Sequence, residues 1–144
     1  MKSWSFKLTS LAAVFLFVFS VNASAALVQS CEKAGVGLNS VIQPASGNIL
    51  EYWNGQLTVY HVKTNENVAS DGLAIVYPTQ NGSKCSAVVQ ITDWIKFQEI
   101  EYSYNASKGA RLVVPLYYKS NGRQGNAGSL HIRVDADNAS VFLE

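Results

Sequence analysis

The chain is poor in the groups that most chemistry needs. Its 144 residues include two histidines and two cysteines, and charged side chains make up only 15% of the total. His61 and His131 stand far apart, each in a strand-like run, so no zinc-ligand spacing is present. No Gly-x-Ser-x-Gly elbow occurs, which removes the usual setting of an exposed serine nucleophile. Gly35-Val-Gly37 lacks the rest of a dinucleotide fingerprint, and Gly122, Gly125 and Gly128 precede no helix. There is no basic stripe to neutralise phosphates, so nucleic acid is not an expected partner. A basic amphipathic helix is missing as well, which leaves no element for a membrane surface. Beyond residue 25, no apolar run approaches the ~20 residues that a membrane-spanning helix requires.

What is present begins with a leader. Lys2 and Lys7 precede the unbroken apolar run Leu11–Phe19, and Ala23-Ser24-Ala25 supplies the small residues of a cleavage site. Residues 1–25 are therefore expected to be a cleaved secretory signal peptide. Residues 26–144 are expected to form a single exported domain, in a bacterial periplasm or outside the cell, with no membrane insertion after cleavage. The leader holds two of the eleven basic residues, so nine remain against ten acids, with the signs interspersed. In an oxidising compartment Cys31 and Cys85, 54 positions apart, are expected to form a disulfide. A lipid-bearing Cys31 is a poorer fit, because Gln29 is unsuited there and the apolar run ends too early.

The remainder reads as about eight short strands between Gly- and Asn-containing turns. That pattern implies an all-β fold, a small antiparallel β-sandwich or barrel. Asn54-Gly55 suits a two-residue hairpin turn that pairs Trp53 with Gln56 and Tyr52 with Leu57. Leu50, Tyr52, Leu57 and Val59 then share the core face, while Ile49, Glu51, Trp53, Thr58 and Tyr60 share the other. A second unit joins Leu73–Tyr77 to Cys85–Ile91. In Arg111–Tyr118, the residues Leu112, Val114, Leu116 and Tyr118 face one side, and Pro115 asks for a sheet edge or a bulge. Asn121–Gly128 reads as a mobile hairpin loop. Leu130, Ile132 and Val134 alternate with His131, Arg133 and Asp135, a half-buried strand. Between Trp94 and Tyr104 the apolar phase slips. Either a bulge near Gln98 and Glu99 or a short helix near 93–99 accounts for it, and the bulge is preferred.

Few residues suggest catalysis. His61 and His131 are expected to face solvent from their strands. Glu99 and Glu101 fall on one strand face about 7 Å apart, where two carboxylates ordinarily just keep a surface wet. Asp135-Ala-Asp137-Asn138 offers oxygen ligands but departs from the calcium-loop pattern and suits a tight turn. No metal and no cofactor are expected. Aromatic residues, by contrast, are plentiful. Trp53, Tyr60 and Ile49, on the far face of the first hairpin, form the expected ligand-binding patch, the alternative being packing against segments such as 27–42. Arg123, in the Gly-rich loop, is added as a polar contact. The expectation is an exported, non-catalytic module that recognises a protein or a glycan in the cell envelope or beyond it. The alternatives are an inhibitor or toxin-like subunit that inserts 121–128 into a foreign enzyme and, last, a small hydrolase using Glu99, Glu101 or His131.

Overall fold

The computed structural model describes residues 26–64 and 71–144, and the expected leader, 1–25, lies outside the described residues. The fold is all-β. Among the described residues ten strands form: β1 (Leu27–Ser30), β2 (Ile49–Tyr52), β3 (Leu57–Lys63), β4 (Asp71–Thr79), β5 (Gly82–Val89), β6 (Trp94–Ile95), β7 (Glu101–Asn105), β8 (Gly109–Ser120), β9 (Arg123–Asp135) and β10 (Ser140–Leu143). One helical turn, α1 (Cys31–Ala34), is capped by the Ser30 hydroxyl, which accepts the Lys33 N–H, and is closed by Gly35. The count exceeds the expected eight for two reasons. β1 was not legible as a strand, and the 94–104 run is divided.

All pairings are antiparallel. The first sheet has the order β1-β5-β4-β3-β2, and the second runs β10-β9-β8 with β6 and β7 both on the far edge of β8. The two sheets share one core. Leu57, Val59, Leu73, Ile75, Tyr77 and Val88 from the first meet Leu112, Val114, Leu116, Ile132 and Val134 from the second. Each such side chain removed from water contributes roughly 1.5–3 kcal/mol before the ordering entropy is subtracted. Two polar links tie the sheets at one end. The β9–β10 turn offers the Ala139 carbonyl, which accepts from Tyr77 Oη at 3.1 Å and from Lys84 Nζ at 2.9 Å. At the β2 and β7 edges an aromatic seam does the same work. Tyr52 stacks on Tyr102 with centroids 4.6 Å apart, and Trp53 leans on Tyr104 at 5.0 Å.

The ambiguous 94–104 run holds, in place of the preferred bulge, a short 3-10 turn within the expected 93–99, followed by a strand and preceded by a second, two-residue strand. β6 and β7 flank the same strand, β8, and a 3-10 turn at Phe97–Glu99 is inserted between them. This insertion also accommodates Pro115. The Pro115 carbonyl accepts the Lys96 N–H at 3.0 Å, so the ladder groups of this residue face the interrupted edge and its missing N–H costs the β8–β9 ladder nothing. A register shift does occur in this strand pair, between Leu116 and Tyr117.

Three local expectations need correction. The first hairpin keeps the expected register, with Tyr52 opposite Leu57, but its pairing stops there. Trp53, Asn54 and Gly55 all have positive φ (59°, 54° and 82°), so Trp53 belongs to a four-residue turn and is not a strand residue. The expected mobile loop 121–128 is almost entirely strand. Only Asn121 and Gly122 turn, with φ of 49° and 73°, and Ser120 pairs with Arg123. Two successive positive φ values give the turn whose twist matches the strands, and Asn-Gly is the pair best able to adopt them. Tyr118, finally, is 48% exposed and is not a core residue. It lies on a hairpin tip flanked by no other described strand, where its ring covers Gly125.

Candidate binding sites

The outer face of the first sheet is where the fold departs most from a simple sandwich. Alternation along the strands sends Tyr60 and Val62 of β3, Ala74 and Val76 of β4, and Cys85, Ala87 and Val89 of β5 away from the shared core. None of these seven is charged. A second apolar cluster forms there, because residues 31–41 cross this face and cover it with Cys31, Ala34, Val36 and Val41. Three fastenings hold this arm. Cys31 and Cys85 are bridged, Val41 forms an isolated bridge with Val62, and the Ile42 N–H donates to the His61 carbonyl at 2.9 Å. The bridged pair is compatible with an oxidising compartment.

The arm does not seal the face. Beneath it lies an open groove of about 250 Å³ lined by Cys31, Val36, Leu38, Val41, Tyr60, Val62, Ala74, Val76 and Cys85, with Gly37 at its margin. Leu38 stands at this groove with 83% of its surface exposed. Tyr60 brings the hydroxyl in an otherwise apolar lining.

The structure separates the residues expected to act together. Ile49 and Tyr60 are cross-strand partners on the outer face, both half-buried, and Tyr60 lines the groove. Trp53 instead packs against the main core and Tyr104. There it lines a second, small depression of about 50 Å³ with Ala106, Ser107, Lys108, Gly109, Asp135, Ala136 and Asp137. Arg123 is exposed at the start of β9, beside an open depression formed with Tyr118, Ser120 and Asn121. The groove residues Val36, Leu38, Val41 and Val76, and Tyr104 of the second depression, were not singled out from sequence. The available signal was the unbroken apolar character of Leu73–Tyr77 and of Ala87–Val89, which marks strands covered on both faces.

The histidines also depart from expectation. His61 is buried and points into the main core side, with its ring stacked on Phe97 at 5.0 Å. Its Nδ1 lies 2.9 Å from Asn48 Oδ1. Nε2 is 3.1 Å from Asp71 Oδ2, within ion-pair distance. Burial lowers the His61 pKa below 6.5, and the Asp71 carboxylate only partly opposes that shift. His131 is half-buried and meets the Arg111 guanidinium through Nδ1. Arg111 and Arg133 face each other across β8 and β9, and the Glu144 carboxylate joins both, at 3.1 Å and 2.7 Å. Those contacts hold the Glu144 carboxyl below its usual range. Glu99 and Glu101 do not share a strand, since Glu99 sits in the 3-10 turn, 3.8 Å from Lys96. Asp135 accepts from Asn138 within its own turn. Among the described residues no cluster of three or more His, Cys, Asp or Glu is placed to hold a metal. Among them, too, no helix is long and apolar enough to cross a membrane.

No protein-family model, curated protein or solved structure gives a significant match to this chain. The functional reading therefore rests on the sites themselves.

Proposed function

We propose that this chain is an exported, non-catalytic binding module and that the groove under the 31–41 arm receives an apolar side chain of a protein partner. One observation carries the reading: a concave apolar surface of about 250 Å³ is held open on the outer face of a sheet, with the Tyr60 hydroxyl to orient what enters. Pockets of this composition are the usual seats of recognition, with apolar area for affinity and a few polar groups for direction. Its rigidity favours binding. The disulfide and the Val41–Val62 bridge fix the arm, so little ordering entropy is lost when a ligand enters. The leader and the bridged cysteines support export. A protein ligand is favoured over a glycan here because the lining offers one hydroxyl and otherwise hydrocarbon and sulfur.

The inhibitor reading keeps one supporting observation. The tip of the β8–β9 hairpin extends beyond its flanking strands and carries exposed Tyr118 and Arg123 on a tight turn, a shape suited to entering a cleft. One experiment separates the two readings. Envelope and extracellular fractions are passed over the immobilised chain and over its Val76→Glu and Arg123→Ala variants, each first checked for an unchanged unfolding midpoint. A partner lost with Val76→Glu and kept with Arg123→Ala supports the groove. The opposite pattern moves the site to the hairpin tip.

A further inference from the structure

The Trp53 depression lies among three turns, those joining β2 to β3, β7 to β8 and β9 to β10, and its chemistry is unlike that of the groove. We infer that it is a saccharide site that takes the flat face of an uncharged or amino-bearing pyranose ring.

The backbone supplies the first indication. A tryptophan at φ 59° occupies the left-handed region, a conformation that costs about 1–3 kcal/mol for a non-glycine residue and tends to persist at functional positions. Here it ends the β2–β3 ladder at Tyr52 and leaves the Trp53 ring beside Tyr104, centroids 5.0 Å apart and planes inclined by 53°. Tyr104 is 53% exposed. The half-buried Trp53 ring and the exposed Tyr104 ring together make an angled aromatic wall.

Beside the two rings, the lining combines Ala106 and Ala136 with four polar side chains. Ser107 and Lys108 come from the β7–β8 turn, and Asp135 and Asp137 come from the end of β9 and the turn after it. Gly109 lets these two turns meet. It has φ 83°, and a Cβ there would lie 2.4 Å from the Val134 carbonyl oxygen. The Asp135 carboxylate accepts from the Asn138 N–H at 3.2 Å and from Nδ2 at 2.7 Å, which orients it at the edge of the depression. Lys108 and Asp137 form no ion pair among the described residues.

A pyranose ring is the ligand with matching surfaces. Its axial C–H groups make one face apolar and suited to an aromatic ring, and its equatorial hydroxyls project toward donors and acceptors at the edge. Two carboxylates against one ammonium leave the cleft net negative. It therefore repels uronic acids and accepts neutral or amino sugars. Saccharide binding here does not depend on the groove.

The test is a titration followed by the indole N–H resonance of Trp53, assigned by its loss in Trp53→Phe. The probes are cellohexaose, the β-1,4-linked glucosamine hexamer and the galacturonate hexamer, each up to about 10 mM, a concentration that detects even weak single-ring binding. The first two are expected to shift the resonance and the third to leave it in place. Tyr104→Ala, a change at an exposed position, should weaken binding about tenfold through loss of one ring. Asp137→Asn should weaken the glucosamine hexamer more than cellohexaose, and Tyr60→Ala in the groove should change neither. The inference is overturned if neither neutral nor amino oligosaccharide moves the Trp53 signal, or if Tyr104→Ala binds like the unaltered chain. Galacturonate binding as tight as the others, or loss of sugar binding with Tyr60→Ala, overturns it equally.

Discussion

The outer faces of the two sheets differ sharply, although both sheets cover the same core. On the first, Tyr60, Val62, Ala74, Val76, Ala87 and Val89 lie under an arm of the chain. On the second, Arg111, His131 and Arg133 stand around Glu144, while Lys119 Nζ sits 4.3 Å above the ring of Trp94 and that ring stacks on Tyr117. One face is an apolar interior with a gap in it, the other a half-buried surface of charged and aromatic side chains. An apolar outer face is stable in water only when something covers it, and here the arm and its disulfide do most of the covering. The groove is the part left uncovered, which is why it is the leading candidate for a partner.

That contrast can be broken at the arm. Reduction, or Cys31→Ser, is expected to lower stability by about 4 kcal/mol in the chain-entropy model for a loop of this length. Urea unfolding with and without reductant measures it, and an unchanged midpoint would falsify the arm's role as a fastening. Matched substitutions on the two faces sharpen the comparison. Val62→Thr places a hydroxyl where the side chain is fully buried and should cost about 2 kcal/mol. Val113→Thr, half-buried on the second sheet, should stay within about 0.5 kcal/mol. Equal losses at both positions would mean that the two faces are covered alike.

The ionisable groups give smaller effects. His61 has a folded-state pKa below its ordinary 6.5, so the unfolded chain binds its proton more readily. Stability from this site is complete above pH 6.5 and is lost as the pH falls from there through the lower folded value. His61→Asn should flatten the urea midpoint between pH 7.5 and that range. A dependence that survives the substitution would place its origin elsewhere. The smallest effect belongs to Glu144, whose pKa is lowered by Arg133 and Arg111. Its contribution is present above the ordinary carboxyl range and disappears as the pH falls through the depressed value. Glu144→Gln should remove that acid-range slope and change little near neutrality.

In the second sheet the inward alternation was legible, although the 94–104 run, the turn at 121–122 and the exposure of Tyr118 were not. Leu112, Val114 and Leu116 alternate with half-buried neighbours, and Ile132 and Val134 flank Arg133, which is buried on the outer face but ion-paired with Glu144. The register of the first hairpin was legible as well, with Leu57 and Val59 inward. The turns were less so. Three Asn-Gly pairs occur, and only Asn121-Gly122 makes the two-residue turn. Asn54-Gly55 is drawn into a longer one with Trp53, and at 81–82 the turn residues are Gln80 and Asn81. Local preference allowed a tight turn at each place, and packing at the strand ends selected among them. Of the expected patch, Tyr60 and Trp53 each reached a concave site, but not the same one.

Local chemistry therefore settled the class of this protein. Alternating apolar residues of period two and Asn-Gly turns dictate antiparallel strands, and a single pair of cysteines 54 positions apart suits a bridge. Tertiary structure decided the rest. Which outer face is covered, where the arm stops, and which turns converge on Trp53 depend on contacts between residues distant in the chain. Their energies arise only once both sheets are in place, so no local pattern encodes them.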